Sequence, residues 1–389
     1  MIVLKVLYLL VAAAFAWMTI SAIYHLRWVQ RLPVHVNDRG ESSLSDGIQP
    51  LENCSVVIAA RDEESRIEST IRHLLAQQGV ILEIIVVNDR SVDQTGVILS
   101  GLSQQFTEVR SISVEELPPG WLGKCHACLV GAAAATGDWI LFTDADCWIK
   151  PNVIARALRV AKTESADHIT LTPGIEGHSI GTQAWHLAFL ISLANWFSGV
   201  NRDRPKSYVG MGAFNLVRSS AYRNCGGYED LKLTVLDDVR LGLLLRRAGY
   251  RTRAFVGGDD VECHWGTTVG NMIKIMEKNY FAALDFRLAP AMIASLGGML
   301  IWFLAIIGPF TGTAAGIAAG IGMFSISIPA YALSRRLGWS AACSILTPFI
   351  YLCMFYAIFR SAWVTTRQGG ISWRGTHYSL SALREGSVK

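Results

Sequence analysis

Residues 288–334 contain no Asp, Glu, Lys, Arg or His. A crossing helix needs about 20 apolar residues, so this run is long enough for two. Gly308-Pro309 is the natural break between them. Gly312, Gly316 and Gly320 recur at every fourth position, which lets membrane helices approach closely. Residues 6–24 are also apolar and uncharged, with Lys5 before them and His25, Arg27 and Arg31 after. That run is too long for a signal-peptide core and lacks a polar cleavage region, so it reads as an anchor helix. Its basic flank places the following domain in the cytoplasm. A third apolar block, 337–359, follows Arg335-Arg336 and is interrupted by Pro348. The tail beyond carries Arg360, Arg367, Arg374, Arg384 and Lys389. One anchor plus three crossings would put that basic tail outside, against its charge. A re-entrant last block removes the conflict. The expected layout is an anchor over 1–29, a linker over 30–52, a cytoplasmic domain over 53–287, membrane helices over 288–362 and a basic tail over 363–389. Such a protein is multi-pass and sits in a cell membrane, as in the bacterial inner membrane.

Composition agrees: only 17% of residues are charged and the mean hydropathy is +0.32. A net charge of +4 gives no argument for a nucleic-acid partner. Cys125-His126-Ala127-Cys128 lacks the second pair a zinc site needs and reads as ordinary thiols.

The middle of the chain is organised around Asp138-Trp139-Ile140-Leu141-Phe142-Thr143-Asp144-Ala145-Asp146. Its apolar run predicts a strand buried on both faces, as in a parallel sheet. Asp144 and Asp146 then lie at the carboxyl end of that strand, where open α/β sheets bind ligands. Two hard carboxylates there suit Mg²⁺ or Mn²⁺; the plain alternative is a solvated strand end or an Asx turn. Ser55–Ala60 is a second buried strand, followed by Arg61-Asp62-Glu63-Glu64 and a helical pattern. Leu82–Val87 is a third, ending at Asn88-Asp89. Strand–helix alternation of this kind predicts a parallel α/β sheet. Two strands ending in Asp at one edge point to a nucleotide pocket.

Residues 179–200 form an aromatic-rich stretch, with Trp185, Phe189, Trp196 and Phe197. It lies between Asp144/Asp146 and a later acid pair, Asp237-Asp238. A membrane crossing there would separate the two pairs, so the stretch is read as an interfacial or packing helix. Gly210-Met211-Gly212-Ala213-Phe214-Asn215 permits close backbone approach to a ligand. Asp237-Asp238 opens a helix; one acid suffices to cap it, leaving the other for chemistry.

Taken in this order, the motifs resemble family 2 glycosyltransferases, most of all membrane-bound bacterial members that glycosylate carotenoids or hopanoids, and more distantly ceramide glucosyltransferase. The resemblance covers about residues 53–285 and the membrane layout. It implies a nucleotide-diphospho-sugar transferase fold of the GT-A type, flanked by transmembrane helices. It also implies donor contacts from Ala60, Arg61, Glu63, Asp89, Lys124, Asp144, Gly210 and Gly212. Asp146 and Asp144 become metal ligands, with Mg²⁺ or Mn²⁺ as cofactor. Asp238 becomes the catalytic base, with Asp237 beside it. Processive members carry Gln-x-x-Arg-Trp beyond the base, whereas this chain reads Met276-Glu277-Lys278-Asn279-Tyr280-Phe281. The departure implies transfer of one sugar. The expected partners are a nucleotide-sugar, a lipid acceptor and the bilayer. The expected reaction is inverting transfer to a lipid hydroxyl; a nucleotidyltransferase, a non-catalytic nucleotide-binding scaffold or a transporter with a cytoplasmic domain are the alternatives. A helix N-terminus lowers the pKa of Asp238 and an adjacent Asp237 raises it, and the sequence leaves that contest open.

Overall fold

The computed structural model describes residues 2–34, 52–175, 179–264 and 266–388. Eight strands form one mixed sheet: β1 Asn53–Ala60, β2 Ile81–Asp89, β3 Val109–Val114, β4 Trp139–Asp144, β5 Cys147–Ile149, β6 His168–Ile175, β7 Asn215–Arg218 and β8 Thr252–Cys263. Their spatial order is β3-β2-β1-β4-β7-β6-β8-β5. The first four strands are parallel and joined by helices Ile67–Leu75, Thr95–Gln105 and Gly123–Ala134. The chain winds outward from β1 to β3 and then returns to place β4 on the other side of β1. That reversal opens a crevice at the carboxyl ends of β1 and β4. β7 runs antiparallel to both β4 and β6, so the far half of the sheet is mixed.

The predicted strands form because they are apolar throughout. Val56, Val57 and Ile58 of β1 and Leu141 of β4 are fully buried, each face of the sheet being covered by helices. Register aligns the acids: Ala59 faces Asp144 and Ala60 faces Asn88, so Asp89 and Asp144 emerge at one edge.

Among the described residues, four helices are long and apolar enough to cross a membrane: Ile2–Leu26, Leu288–Thr311, Ala314–Leu337 and Ala342–Arg367. The break in the central apolar run falls just after Gly308-Pro309, at Gly312. That glycine ends the turn in a left-handed conformation (φ 67°) with no close neighbour, so it is a stop signal and not a packing residue. Close approach is made by Gly316, against the Gly308 carbonyl, and by Gly322, which lets Phe15 and Ala12 of the first helix pack on it.

The last apolar block does not turn back on itself. Pro348 sits inside an unbroken helix, Ala342–Arg367, and its carbonyl accepts from Trp302 Nε1 at 2.7 Å. Both ends of this helix also make contacts outside the other apolar helices. Trp339, just before it, packs edge-on against His186, and Ser361 accepts from the Phe281 N–H. Helix Ile180–Asn201 is not among the helices long and apolar enough to span. It packs between β8, the first helix and Ala342–Arg367, as expected of a joint between the sheet and the membrane helices.

Two expected irregular segments are ordered where described. Arg31 bridges to Val256 of β8, and Arg156 donates to the carbonyls of Leu32 and Pro33, so the start of the linker is pinned to the sheet. Residues 35–51 of that linker lie outside the described residues. The basic tail contains a two-stranded hairpin, β9 Gly370–Trp373 and β10 Thr376–Ser379, then helix Leu380–Gly386.

Candidate active site

Lys124 is the hub. It lies in the first turn of helix Gly123–Ala134, whose preceding loop is held by a Leu122 N–H to Lys232 carbonyl bond. Its Nζ is 2.7 Å from Asp144 Oδ1 and 3.6 Å from Asp237 Oδ1. Burial by itself would lower the lysine pKa; the Asp144, Asp237 and Asp238 carboxylates outweigh it and raise the value well above the usual range. Burial likewise opposes ionisation of Asp144, and Lys124 reverses this, holding that carboxyl below its ordinary value. The strand-end pair and the helix-start pair, far apart in sequence, therefore share one cation.

The two remaining acids behave differently. Burial and then the neighbouring Asp144 charge push Asp146 up, with Arg66, 3.8 Å away, opposing. Burial and then Asp237 push Asp238 up to about 6. Desolvation thus decides the contest over Asp238, with Asp237 adding to it. Asp146 and Asp144 are oxygen donors close enough to repel one another, a donor set that suits a hard divalent cation. Cys147 and Cys263 lie beside Asp146, their Sγ atoms 2.7 Å apart. Burial drives the Cys147 thiol well up, and the adjacent Cys263 adds to it.

The glycine loop is built around these acids. Gly212 N–H donates to Asp238 Oδ2 at 2.6 Å, and Asn215 Nδ2 reaches the Asp238 carbonyl at 3.4 Å. A Cβ on Gly210 would collide with the Asp238 backbone, and one on Gly212 would come 2.7 Å from Asp144 Oδ2. Asp237 is buried, accepting from Tyr228 Oη at 2.9 Å, whereas Asp238 is half-buried.

The third part is the edge formed by β1 and β2. Asp89 is buried and bound in two places by Arg90, at 2.8 and 3.1 Å, with Arg61 at 3.9 Å. Gly123 leaves room for that carboxylate. Arg61 Nε is buried with no hydrogen-bond partner among the described residues and lies 3.9 Å from Asp62 Oδ2. Ala60 ends β1 beside it. Glu63 pairs with Arg374 of the tail and feels the Asp146 charge. The structure therefore brings together the whole set Ala60, Arg61, Glu63, Asp89, Lys124, Asp144, Asp146, Gly210, Gly212, Asp237 and Asp238. Arg66, Arg90, Tyr228, Lys278 and Arg374 were not anticipated. Arg90 at least follows Asp89 directly; the other four carry no local signal.

The mixed sheet with acids at its carboxyl edge is a GT-A-like fold. Residues 55–226 match the family described as Glycosyl transferase family 2. Over that segment the chain is similar to family 2 glycosyltransferases. It is similar to 4,4'-diaponeurosporenoate glycosyltransferase of Staphylococcus aureus (strain MRSA252), with 22% identity over 346 residues, covering 84% of this chain and 88% of the relative. The enzyme of the same name from Staphylococcus haemolyticus is 24% identical over 213 residues, covering 53% and 55%. Among solved structures, a mannosyltransferase from Pyrobaculum calidifontis, in complex with GDP-Man and Mn2+, superposes with a TM-score of 0.54. It is 15% identical and covers 94% of this chain and 99% of that one.

Proposed function

We propose that this protein transfers a single sugar, with inversion, from a nucleotide-sugar to a hydroxyl of a membrane lipid. The observation that carries this reading is the acid cluster around Lys124: one pair beside the donor edge, one pair beside the glycine loop, joined by a single ammonium. The solved neighbour binds GDP-Man and Mn2+, and the curated relatives are named for a carotenoid substrate.

Arg61, Asp89 and the end of β1 bind the nucleoside. A divalent cation held by Asp146 and Asp144 would supply charge neutralisation at the leaving diphosphate. Lys124 holds Asp144 ionised and oriented. The Gly210–Asn215 loop brings the sugar and the acceptor hydroxyl against Asp238 without a side chain in between. Asp238 takes the proton as the acceptor oxygen attacks the anomeric carbon, and its raised pKa keeps it basic enough to do so near neutrality. Asp237, engaged by Tyr228 and Lys124, sets the charge beside the base.

The lipid acceptor is argued from attachment. Among the described residues the domain is joined to four apolar helices, and helix Ile180–Asn201 ties its sheet to three of them. We place the domain in the cytoplasm, on the basic side of the first helix. Helix Ala342–Arg367 packs along helix Ile180–Asn201 and along Leu288–Thr311 and Ala314–Leu337, and we place the basic tail beyond it on the cytoplasmic side, as its charge favours.

The test is a donor screen. Nucleotide-sugars are incubated with the purified protein and membrane lipids, and the lipid fraction is examined by mass spectrometry. One added hexose with release of a nucleoside diphosphate supports the proposal. Release of pyrophosphate would make the protein a nucleotidyltransferase, and a long glycan would remove the single-transfer reading.

A further inference from the structure

Lys278 stands between helix Val269–Met276 and helix Asn279–Ala283 and is half-buried. Its Nζ lies over the face of Trp373, 3.7 Å from the ring centroid. Among the described residues it forms no ion pair. It is nevertheless close enough to Lys124, Asp144 and Asp237 to feel each of them electrostatically. Asp144 and Asp237 are already engaged by Lys124. A second ammonium beside that cluster, resting on an aromatic face with no carboxylate of its own, lacks an anion.

Trp373 is supplied by the C-terminal tail. Arg374 and Gly375 both have positive φ, 50° and 77°, and form the two-residue turn of the β9–β10 hairpin. The turn reaches over the donor edge: Arg374 pairs with Glu63, and Gly375 lies against Arg61. Behind it, Leu383 is fully buried, Arg384 donates to the Phe286 carbonyl at 2.8 Å, and Gly386 packs on Leu233. The hairpin is therefore fastened at its base and presents its tip to the site.

We propose that Lys278 is a donor-binding residue that contacts the diphosphate of the nucleotide-sugar, and that Trp373 at the tip of the C-terminal hairpin is the positioning residue that holds it there. This rests on the nucleotide-sugar reading above. The arrangement matches the chemistry of a diphosphate, which gains a further negative charge as it leaves the sugar, beyond what one divalent cation neutralises, and which takes a lysine as a point charge. It also gives the tail a role in the donor site.

The test uses the full-length protein in lipid nanodiscs, with Mn²⁺ present. Calorimetry is run with UDP, GDP, CDP and dTDP and with the four corresponding nucleosides. Lys278→Met should weaken binding of the preferred diphosphate by about 10- to 100-fold, the worth of one charge-assisted contact, and leave its nucleoside unchanged. Lys278→Arg should restore most of that loss. Trp373→Ala should weaken the diphosphate selectively, and Trp373→Phe, which keeps a ring face, should rescue it. Equal diphosphate affinity in Lys278→Met and wild type would overturn the proposal. So would a parallel loss of nucleoside binding in Lys278→Met and Lys278→Arg, which would make the residue structural. If wild-type protein bound none of the four diphosphates, the donor reading itself would fail, and this assignment with it.

Discussion

The pair Asp144/Asp146 and the pair Asp237/Asp238 begin from different local structure and reach the same division of labour. The first ends a buried strand and the second opens a helix. In each, one acid is bound to Lys124, and the other has its pKa raised by burial and by its partner's charge. The paired acid is spent on orientation and charge. The one that Lys124 does not hold is ionised at a cost set by burial and is therefore reactive toward a cation or a proton. What separates the two pairs is the surroundings of the reactive member. Asp146 has a second oxygen ligand beside it, which suits a metal. Asp238 has the Gly212 N–H and an open loop, which suits a substrate.

Removing the metal should break the first pair most completely. Excess chelator should abolish transfer and Mn²⁺ or Mg²⁺ should restore it; turnover unaffected by chelator would end the metal role of Asp146 and Asp144. Asp146→Asn should lose metal-dependent donor binding in the same calorimetric experiment.

Asp238→Asn should break the second pair differently. Loss of the proton acceptor should lower turnover by roughly 10²–10⁴-fold, while donor binding survives. If both fell together, the two pairs would not be functionally distinct.

Asp237→Asn should be milder, costing less than about tenfold in turnover, because its proposed role is to tune its neighbour. Its informative effect lies on pH. Asp238 must be deprotonated to act, so wild-type activity should be half-maximal near pH 6 and fall about tenfold per unit below it. Removing the Asp237 charge removes one cause of the raised pKa, so the acid limb should move to lower pH. An acid limb that did not move would detach Asp237 from the base.

The smallest effect separates the two glycines. Gly210→Ala drives a methyl into the Asp238 backbone and should cost about 1–3 kcal/mol, read as a lowered melting temperature. Gly212→Ala meets the ends of two side chains, the Asp144 carboxylate and Lys124 Nζ, and not backbone, so it should cost less stability while disturbing the first pair.

Much of the site was legible because its residues sit at predictable ends of predictable elements. Asp89 and Asp144 terminate apolar strands, Asp237-Asp238 opens a helix, and Gly210 to Asn215 could only be a loop. Lys278 was not legible, since its neighbours in sequence are a helix end and a membrane segment. Trp373 and Arg374 were hidden in what read as a tail, because only a long-range contact brings the hairpin to Glu63. The last apolar block was misjudged in shape. A proline in a sequence is a probable break, but Pro348 is tolerated here in a continuous helix.

The sequence by itself determined the elements, the long apolar segments, the edge of the sheet where the acids gather and the residue types available there. These follow from local periodicity and from the side-chain alternation of buried strands. Tertiary structure decided which charges meet. Lys124 chooses Asp144 and Asp237 over the adjacent acids, burial overrides the helix terminus at Asp238, and the C-terminal hairpin returns to the donor edge. Those outcomes depend on distance and desolvation, and both are properties of how distant segments pack rather than of the order in which they are written.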